Sequence, residues 1–393
     1  MDTWYKLGLI AFAGSISALG MFFVLNPFLI GVSLLFLRKK DTKHKGYLPS
    51  VSIVTVVRNG QHLIQAKIEN ALSLDYPLEK IEVLIYSDGS TDGIEEVVRP
   101  YLANKVRFYS TPFHEGKNPG LNRAVLKCTG EIIVFSDADA LFQKDALSHL
   151  VRPFSDPDIG GVCGRRLIAE KGLRLSEAQD IYIRFDTFIK KLEGRSGSIS
   201  SNDGKIYAVR KGLYRPIPEK VTDDLYVALS VVRQKRRFVF EPEALAFVRL
   251  PSRSPYHEVE RRRRIVGGSL TGIWLLRELL NPFRYGPFSV NLFVNKVLRR
   301  LLPVFLISLF FSSMALSFSL SIAAALFLMQ GVFYMAALLY HVAPGRLLSL
   351  NQVARLCSVA YYFCLGNYGT LRGVIDFLRG NQVVRWTPAK GER

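Results

Sequence analysis

The stretch EIIVFSDADALF, residues 131–142, decides how the central part of this 393-residue chain folds. An apolar run typical of a buried strand leads directly into two aspartates one residue apart, Asp137 and Asp139. Two carboxylates at one strand end repel each other, and a divalent cation such as Mg²⁺ or Mn²⁺ removes that repulsion. We therefore predict a cation site here; the alternative is an ordinary turn at the end of the strand.

Two upstream segments, VSIVTVV (51–57) and IEVLIY (81–86), are also short and rich in β-branched residues, as buried parallel strands are. Helical patterns lie between these two segments and the strand at 131–135, near residues 60–73, 91–101 and 116–128. Strands that alternate with helices at this spacing predict right-handed βαβ units and an α/β fold with a mostly parallel sheet. Ligands of such sheets bind beyond the carboxyl ends of the strands.

Polar residues follow each of these predicted strands. Residues 58–60 (RNG) follow the first, Asp88 lies in SDGSTDG after the second, and Asp137 and Asp139 follow the third. Because the carboxyl ends of parallel strands meet at one edge, we expect these side chains to lie close together. An alternative role for Asp88 alone is a helix cap or a turn.

Long uncharged runs predict a membrane protein with a soluble insert. Residues 7–37 carry no charge and could cross a hydrocarbon core of ~30 Å. The basic run RKKDTKHK (38–45) then predicts that the following domain is cytoplasmic. Residues 301–345 are long enough for two spanning helices, with the serines at 317–321 as their turn or as part of a helix interface. Residues 356–371 are a weaker candidate span. The basic C-terminal end favours the cytoplasmic side, and an odd number of spans after the domain would place it outside. We therefore expect this segment to be interfacial or re-entrant.

These patterns divide the chain into four parts: an anchor with a basic linker (1–46), a cytoplasmic domain (47–260), interfacial helices (261–300) and a transmembrane region with a basic tail (301–393). Segments 265–280 and 286–300 mix apolar and basic residues, which favours helices lying in the membrane interface. The net charge of +19 fits an anionic membrane face or an anionic substrate. No nucleic-acid-binding motif accompanies it, so we expect no nucleic-acid partner. The four cysteines show neither zinc nor disulfide spacing, as is usual in a reducing compartment.

Five motifs, taken in order, resemble the membrane-integrated family 2 glycosyltransferases: VSIVTVVRN, SDGSTDG, EGKNPGLNRAV, SDADALF and VTDDLYVALSVVRQ. That family includes cellulose, hyaluronan and chitin-oligosaccharide synthases and ceramide glucosyltransferases. The resemblance covers residues 48–300 and the layout of the anchors. It implies a GT-A-type sheet with flanking helices, inserted between transmembrane helices and followed by interfacial helices.

The resemblance also implies a role for each matched residue. Asp88 would contact the nucleotide base, although Ser87 replaces the usual first aspartate of its motif. Lys117 would lie near the nucleotide. Asp139 would bind the metal on the diphosphate, and Asp137 would approach the ribose or the metal. Segment 201–210 (SNDGKIYAVR) keeps only part of the acceptor-side pattern, in which Gly-Ala-Asn-Gly is usual.

Asp223 and Asp224 in VTDD match the family's acidic pair, whose second member is the general base. Sugar transfer needs a carboxylate that accepts the proton of the acceptor hydroxyl, and one such base without a nucleophilic carboxylate implies a single inverting displacement. The alternative is that both are acidic residues in the first turn of a helix over 223–233, where the helix dipole stabilises negative charge. For Asp223 this stabilisation is compatible with a catalytic role.

The run ERRRRIVGG (260–268) stands where the family carries Gln-x-x-Arg-Trp. We predict that Arg261 and Arg264 take part in the site, with Arg264 on the diphosphate, and that Arg262 and Arg263 meet lipid or acidic partners. We place these arginines just before an apolar helix over 265–280. Ile265 replaces the aromatic floor for the acceptor, which disfavours processive synthesis.

The resulting hypothesis is a membrane-embedded, metal-dependent, inverting transferase that uses a nucleotide-sugar, by family habit a UDP-sugar. Its acceptor is a glycan that gains a β-linked sugar; the alternative is a membrane lipid. A non-catalytic nucleotide-binding scaffold is a second alternative, which the intact acidic motifs disfavour. We expect an integral protein of a bacterial-type inner or plasma membrane, in contact with membrane lipids.

Overall fold

The structure, a computed structural model, describes residues 3–25, 28, 46–103, 105–169, 174–248, 254–343 and 351–381. Its centre is an eight-stranded sheet in the order β3-β2-β1-β4-β7-β6-β8-β5. The strands are β1 (Val51–Val57), β2 (Ile81–Asp88), β3 (Val106–Thr111), β4 (Ile132–Phe135), β5 (Ala140–Phe142), β6 (Ile159–Ile168), β7 (Tyr207–Arg210) and β8 (Arg237–Val248).

The sheet is mostly parallel, as the sequence predicts. β1 pairs in parallel with β2 and β4, and β2 pairs in parallel with β3. β7 is antiparallel to both β4 and β6, so β6 runs in the same direction as β4. The carboxyl ends of β1, β2, β4 and β6 and the amino end of β7 therefore meet at one side, which we call the ligand edge.

Helices cover both faces of the sheet and continue beyond it. They are α1 (Thr3–Gly20), α2 (Gln61–Leu72), α3 (Ile94–Val98), α4 (Lys117–Lys127), α5 (Ala146–Val151), α6 (Arg174–Ser196), α7 (Asp223–Arg233), α8 (Pro255–Leu275), α9 (Pro282–Tyr285), α10 (Pro287–Leu292), α11 (Leu302–Leu316), α12 (Ser321–Val342) and α13 (Asn351–Leu378). The helices predicted near 60–73, 91–101, 116–128 and 223–233 correspond to α2, α3 with its 3₁₀ extension, α4 and α7.

Two apolar cores hold these layers together, one on each face of the sheet. Ile64 and Ile68 of α2 belong to the first core, together with buried side chains of α3 and α5. Leu121 of α4 and Leu225 of α7 belong to the second, which also takes in residues 276–292. The segment after α8 therefore packs on the domain as part of its core.

Three of the described helical segments are long and apolar enough to cross a membrane: Thr3–Val24, Pro287–Leu316 and Ser321–Val342. α11 ends at Leu316 and α12 begins at Ser321, so the expected turn between two spans is present. Most of the basic linker and the end of the predicted anchor lie outside the described residues.

One predicted boundary is wrong in the structure. Residues 286–300 were expected to form a separate interfacial helix, but α10, π-helical and 3₁₀ turns over 293–301 and α11 follow without a break. Arg300, one of the charges that suggested an interface, hydrogen-bonds within the protein: its Nε donates to Ser269 Oγ at 2.7 Å and its Nη1 donates to the Lys296 carbonyl at 2.7 Å. The interfacial placement of this part of the chain remains a prediction.

The arginine run lies inside a helix, which corrects a second expectation. α8 begins at Pro255, where Ser254 Oγ accepts a hydrogen bond from the His257 N–H at 3.2 Å, and it ends at Leu275. Residues 261–264 therefore occupy its second and third turns instead of preceding a helix over 265–280. A 3₁₀ turn, Arg277–Leu280, follows.

α13 packs closely along α8 and is not among the three candidate spans. A Cβ atom at Gly373 would lie 2.6 Å from the Arg263 carbonyl oxygen, so the approach of the two helices requires glycine there. Arg263 also pairs with Asp376, and Arg372 Nη1 lies 2.9 Å from Glu260 Oε1. Arg262 Nε lies 2.5 Å from Glu258 Oε1. The acidic partners of Arg262 and Arg263 thus belong to this chain.

Candidate active site

Asp137 and Asp139 leave β4 at the ligand edge, and their carboxylates converge on one ammonium group. Lys205 Nζ lies 3.0 Å from Asp137 Oδ2, and 2.6 and 2.9 Å from the two carboxylate oxygens of Asp139. Lys205 lies two residues before β7, whose amino end lies at the same edge. The Asp-x-Asp spacing therefore does aim both carboxylates at one volume, and that volume attracts positive charge.

Lys117, the first residue of α4, joins this pair to the acidic pair of α7. Its Nζ lies 2.8 Å from Asp137 Oδ1 and 2.8 Å from Asp223 Oδ2. Burial alone would raise the pKa of Asp137, but Lys117 and Lys205 outweigh burial and hold that pKa well below its usual range. Burial would likewise lower the pKa of Lys117, but Asp137 and Asp223 raise it above its usual value. Both groups are therefore charged at neutral pH.

Asp224 lies beside these ion pairs and has a different environment. Its Oδ2 accepts a hydrogen bond from the Gly204 N–H at 3.0 Å, and its Oδ1 accepts from the Leu225 N–H at 2.7 Å. Burial, and then repulsion from Asp223, raise the pKa of Asp224 to about 7. A carboxyl group with this pKa can accept a proton near neutral pH, as a general base must.

Segment 202–204 supports Asp224 from the other side. Asn202 Nδ2 donates to the Asp224 carbonyl at 2.9 Å, and a Cβ atom at Gly204 would touch the Asp224 carboxylate at 3.7 Å. Asp203 lies 3.4 Å from Arg166 Nε, which comes from the carboxyl end of β6. The partly matching acceptor-side motif is thus placed next to the predicted base.

Asp88 is buried, with 3% of its surface exposed, and its carboxylate holds the segment that leads into α4. It accepts hydrogen bonds from the main-chain N–H groups of Glu115 and Gly116 at 2.8 and 2.9 Å, and lies 2.8 Å from His114 Nδ1. Gly89 has φ +61°, and a Cβ atom there would lie 2.6 Å from the His114 nitrogen. Asp88 therefore positions the approach to Lys117. Its contact with a nucleotide base remains a prediction.

The two site arginines of the sequence prediction have different surroundings. Arg264 lies within electrostatic range of Asp223 and Asp137; burial and Arg261 lower its pKa, and these carboxylates counteract that effect. Thr222 Oγ1 donates to the Ile265 carbonyl at 3.3 Å, which ties α8 to the start of α7. Arg261 instead pairs with Glu258, at 3.0 Å between Nε and Oε2. The structure therefore brings Arg264 to the acidic cluster and gives Arg261 a partner on its own helix.

Lys67 of α2 contributes to the site, although no motif marked it. Only 1% of its surface is exposed, and its Nζ donates to Ser136 Oγ at 2.5 Å and to the Ala140 carbonyl at 2.6 Å. These two acceptors bracket the Asp137–Asp139 turn. Burial lowers the pKa of Lys67 to about 7. Its position in the apolar stripe of Ile64 and Ile68 was the available sequence signal, because a lysine at that spacing faces the core.

We predict that Lys67→Met loosens this turn. The substitution keeps the buried length of the side chain but leaves two buried acceptors without a donor, which costs about 1–3 kcal/mol for each group. The thermal unfolding midpoint and the affinity for Mn²⁺ with a nucleoside diphosphate are both expected to fall, the affinity about tenfold. Lys80→Met is the matched control, because Lys80 is exposed and donates only outside the site, to the Leu48 carbonyl at 2.8 Å. Unchanged values for both measurements in Lys67→Met contradict this role.

The carboxylates of Asp137 and Asp139 fit a divalent cation in their chemistry, since both already face a single positive group. Among the residues that the structure describes, no cluster of three or more His, Cys, Asp or Glu side chains is placed to hold a metal. Two carboxylates suffice when phosphate oxygens of a substrate complete the ligand set, which is how Mg²⁺ is often held.

The sheet order and the aspartate pair at the ligand edge define a GT-A-like α/β fold. A mannosyltransferase from Pyrobaculum calidifontis, PcManGT, solved in complex with GDP-Man and Mn²⁺, has this fold with a TM-score of 0.69. The alignment covers 95% of this chain and 100% of that chain at 22% identity, so the likeness is one of fold.

Residues 52–214 match the family described as glycosyl transferase family 2, and the chain contains a domain of that family. The β-monoglucosyldiacylglycerol synthase of Nostoc sp. (strain PCC 7120) is 31% identical over 221 residues, which are 54% of this chain and 47% of the relative. The chain thus spans about half the length of that relative. The poly-β-1,6-N-acetyl-D-glucosamine synthase of Staphylococcus aureus (strain COL) is 24% identical over 281 residues, 70% of this chain and 67% of the relative.

Proposed function

We propose that this protein is a membrane-embedded, metal-dependent inverting glycosyltransferase that moves a sugar from a nucleotide-sugar, by preference a UDP-sugar, to a glycan acceptor. The observation that carries the proposal is Asp224, a partly buried carboxyl group whose pKa is raised to about 7, close to the aspartate pair that contacts Lys205 at the ligand edge. The family of the domain and the named activities of its relatives support the same class of reaction.

The proposed reaction is one displacement at the anomeric carbon. The acceptor oxygen attacks that carbon, the bond to the diphosphate oxygen breaks with its electron pair, and the acceptor proton passes to the Asp224 carboxylate. An α-linked donor then gives a β-linked product. The hydrogen bonds from the Gly204 and Leu225 N–H groups fix the direction of the Asp224 carboxylate and keep it available as a base.

The leaving diphosphate gains negative charge during this step. Asp139 and Asp137 would hold a divalent cation, Mg²⁺ or Mn²⁺, which neutralises part of that charge when bound. Lys117, Lys205 and Arg264 supply further positive charge around the same volume. Arg264 is the group best suited to two parallel hydrogen bonds with a phosphate.

The proposed location is an inner or plasma membrane, with the domain on the cytoplasmic side where nucleotide-sugars are made. The three candidate spans flank the domain, one before it and two after it. With this arrangement, the two later spans return the chain to the side of the domain. Membrane lipids would surround α11 and α12, whose large apolar side chains are exposed; they include Phe311, Met314, Leu328 and Val332.

A membrane lipid is the second candidate acceptor, and one observation favours it. Ile265, not an aromatic residue, stands next to the acidic pair, where its carbonyl accepts from Thr222. An aliphatic side chain provides no stacking surface for a sugar chain. The 31%-identical relative is named for synthesis of a glycosyldiacylglycerol.

The experiment that tests the proposal uses the full chain in nanodiscs with Mn²⁺ or Mg²⁺ and a panel of UDP- and GDP-sugars. Release of nucleoside diphosphate that depends on an added acceptor supports it, and absence of release with every donor and acceptor contradicts it. Size analysis and solvent extraction of the radiolabelled product separate a glycan from a glycolipid.

The pH dependence of kcat/KM is a further prediction. The active form of Asp224 is the ionised carboxylate, so with a pKa of about 7 the rate rises with pH up to about 7 and then levels off. Asp223→Asn removes the repulsion that helps to raise this pKa, so the midpoint of the profile is expected to move to lower pH. A wild-type profile that is flat between pH 5 and about 8 would contradict the assignment.

A further inference from the structure

All four carboxylate oxygens of the Asp137–Asp139 pair contact an ammonium group. Lys117 Nζ lies 2.8 Å from Asp137 Oδ1. Lys205 Nζ takes the other three oxygens at 2.6, 2.9 and 3.0 Å. A divalent cation held by this pair needs oxygen ligands from it. An ammonium group that shares these oxygens with a dication would repel it at close range, so cation binding favours the departure of at least one ammonium group.

Lys205 is the group that can leave at lower cost. Each lysine contacts two carboxylates, but a cation on the Asp137–Asp139 pair would replace both contacts of Lys205, whereas the departure of Lys117 would leave Asp223 without its contact at 2.8 Å. The main chain of Lys205 is fixed, because its N–H donates to Asp203 Oδ1 at 3.2 Å and its carbonyl accepts from Ser136 Oγ at 3.1 Å. A lysine has four methylene groups, so Nζ can swing by several ångströms while this main chain stays in place.

Electrostatics decide when the exchange is favourable. A dication placed beside two ammonium groups without an added anion meets strong repulsion at these short distances. A diphosphate brings negative charge for both the dication and the displaced ammonium group, and phosphate oxygens are good acceptors for lysine. Cation and diphosphate are therefore expected to bind together.

We propose that Lys205 is a tethered counter-cation of the Asp137–Asp139 pair, displaced by the divalent cation and transferred to the diphosphate of the incoming nucleotide. The proposal rests on the proposed function for the identity of the diphosphate. In the free enzyme, Lys205 offsets the negative charge of the aspartate pair. During binding, it makes the affinity for the cation depend on the nucleotide. Since coupling between two ligands is reciprocal, each is expected to raise the affinity for the other.

The test measures Mn²⁺ binding to the full chain in nanodiscs from the electron paramagnetic resonance signal of free Mn²⁺, without and with UDP. In Lys205→Met, the affinity for Mn²⁺ without UDP is expected to rise about tenfold, and the gain in Mn²⁺ affinity caused by UDP is expected to shrink about tenfold. Lys205→Gln is a second variant in case methionine impairs folding, and thermal unfolding identifies the folded samples. Lys80→Met is the matched control and is expected to match the wild type.

The results separate this inference from the proposed function, because Mn²⁺ binding requires no sugar transfer. Tighter nucleotide-free Mn²⁺ binding in a folded Lys205 variant supports the inference even if no donor is turned over. Unchanged or weaker binding in both variants overturns it, even if the wild type is an active transferase. Absence of Mn²⁺ binding by the wild type with UDP present also overturns it.

Discussion

Asp224→Asn is expected to lower the rate of sugar transfer about 1,000-fold while the donor still binds. The amide cannot accept the acceptor proton, which removes general base catalysis. The fold is expected to tolerate the change, because a pKa of about 7 means that a neutral side chain is already present in about half of the molecules at neutral pH. The measurements are single-turnover transfer and equilibrium binding of UDP with Mn²⁺.

The neighbouring contacts explain why donor binding is spared. Asp224 hydrogen-bonds to the main chain of Gly204 and Leu225, whereas Lys117 and Lys205 contact Asp223, Asp137 and Asp139. Asp158→Asn is the matched control, since Asp158 is exposed and pairs with Arg236 at 3.1 Å outside the site. A rate within about threefold of wild type for Asp224→Asn would rule out its role as the base.

Asp139→Asn is the second substitution with a large expected effect. It removes one negative charge from the pair that would hold the cation and leaves Lys205 with a single carboxylate partner, Asp137. Loss of the cation takes away several kcal/mol of charge stabilisation for the leaving diphosphate. We expect kcat/KM to fall about 1,000-fold and UDP to lose most of its Mn²⁺-dependent affinity.

The two substitutions differ in what they affect. Asp139→Asn is expected to weaken nucleotide binding, and Asp224→Asn is not, so binding assays with UDP and Mn²⁺ distinguish the cation site from the base. Higher Mn²⁺ concentrations are expected to restore part of the activity of Asp139→Asn, because the Asp137 carboxylate and the phosphate oxygens remain. Full activity of Asp139→Asn at low Mn²⁺ would show that the aspartate pair holds no catalytic cation.

Three of the eight strands could be predicted because they are local apolar runs. β1, β2 and β4 each consist of short, buried, β-branched segments between helical patterns. β6 and β8 were not predicted, because IGGVCGRRLI and RFVFEPEALAFV mix glycine and charge with apolar residues. Their burial depends on neighbouring strands that lie far away in the chain.

The membrane-proximal part of the chain was also difficult to predict, because its contacts join residues that lie far apart in the sequence. Charges at Lys296, Arg299 and Arg300 suggested a helix in the membrane interface, because a sequence shows a charge but not its partner. In the structure Arg300 donates to Ser269 of α8, and the helical path continues from Pro287 to Leu316. Likewise, Arg262 and Arg263 have acidic partners on α8 and α13, which no local pattern could indicate.

The sequence by itself determined which acids lie at the ligand edge, because the ends of parallel strands must meet there. Asp88 ends β2, and Asp137 and Asp139 follow β4, for that reason. Only the tertiary structure decided what those acids contact. Lys205 reaches Asp139 across 66 residues because β7 inserts antiparallel beside β4, and Lys67 reaches Ser136 across 69 because α2 packs beneath the sheet. Charges and pKa values depend on such distances and on burial, which long-range packing sets.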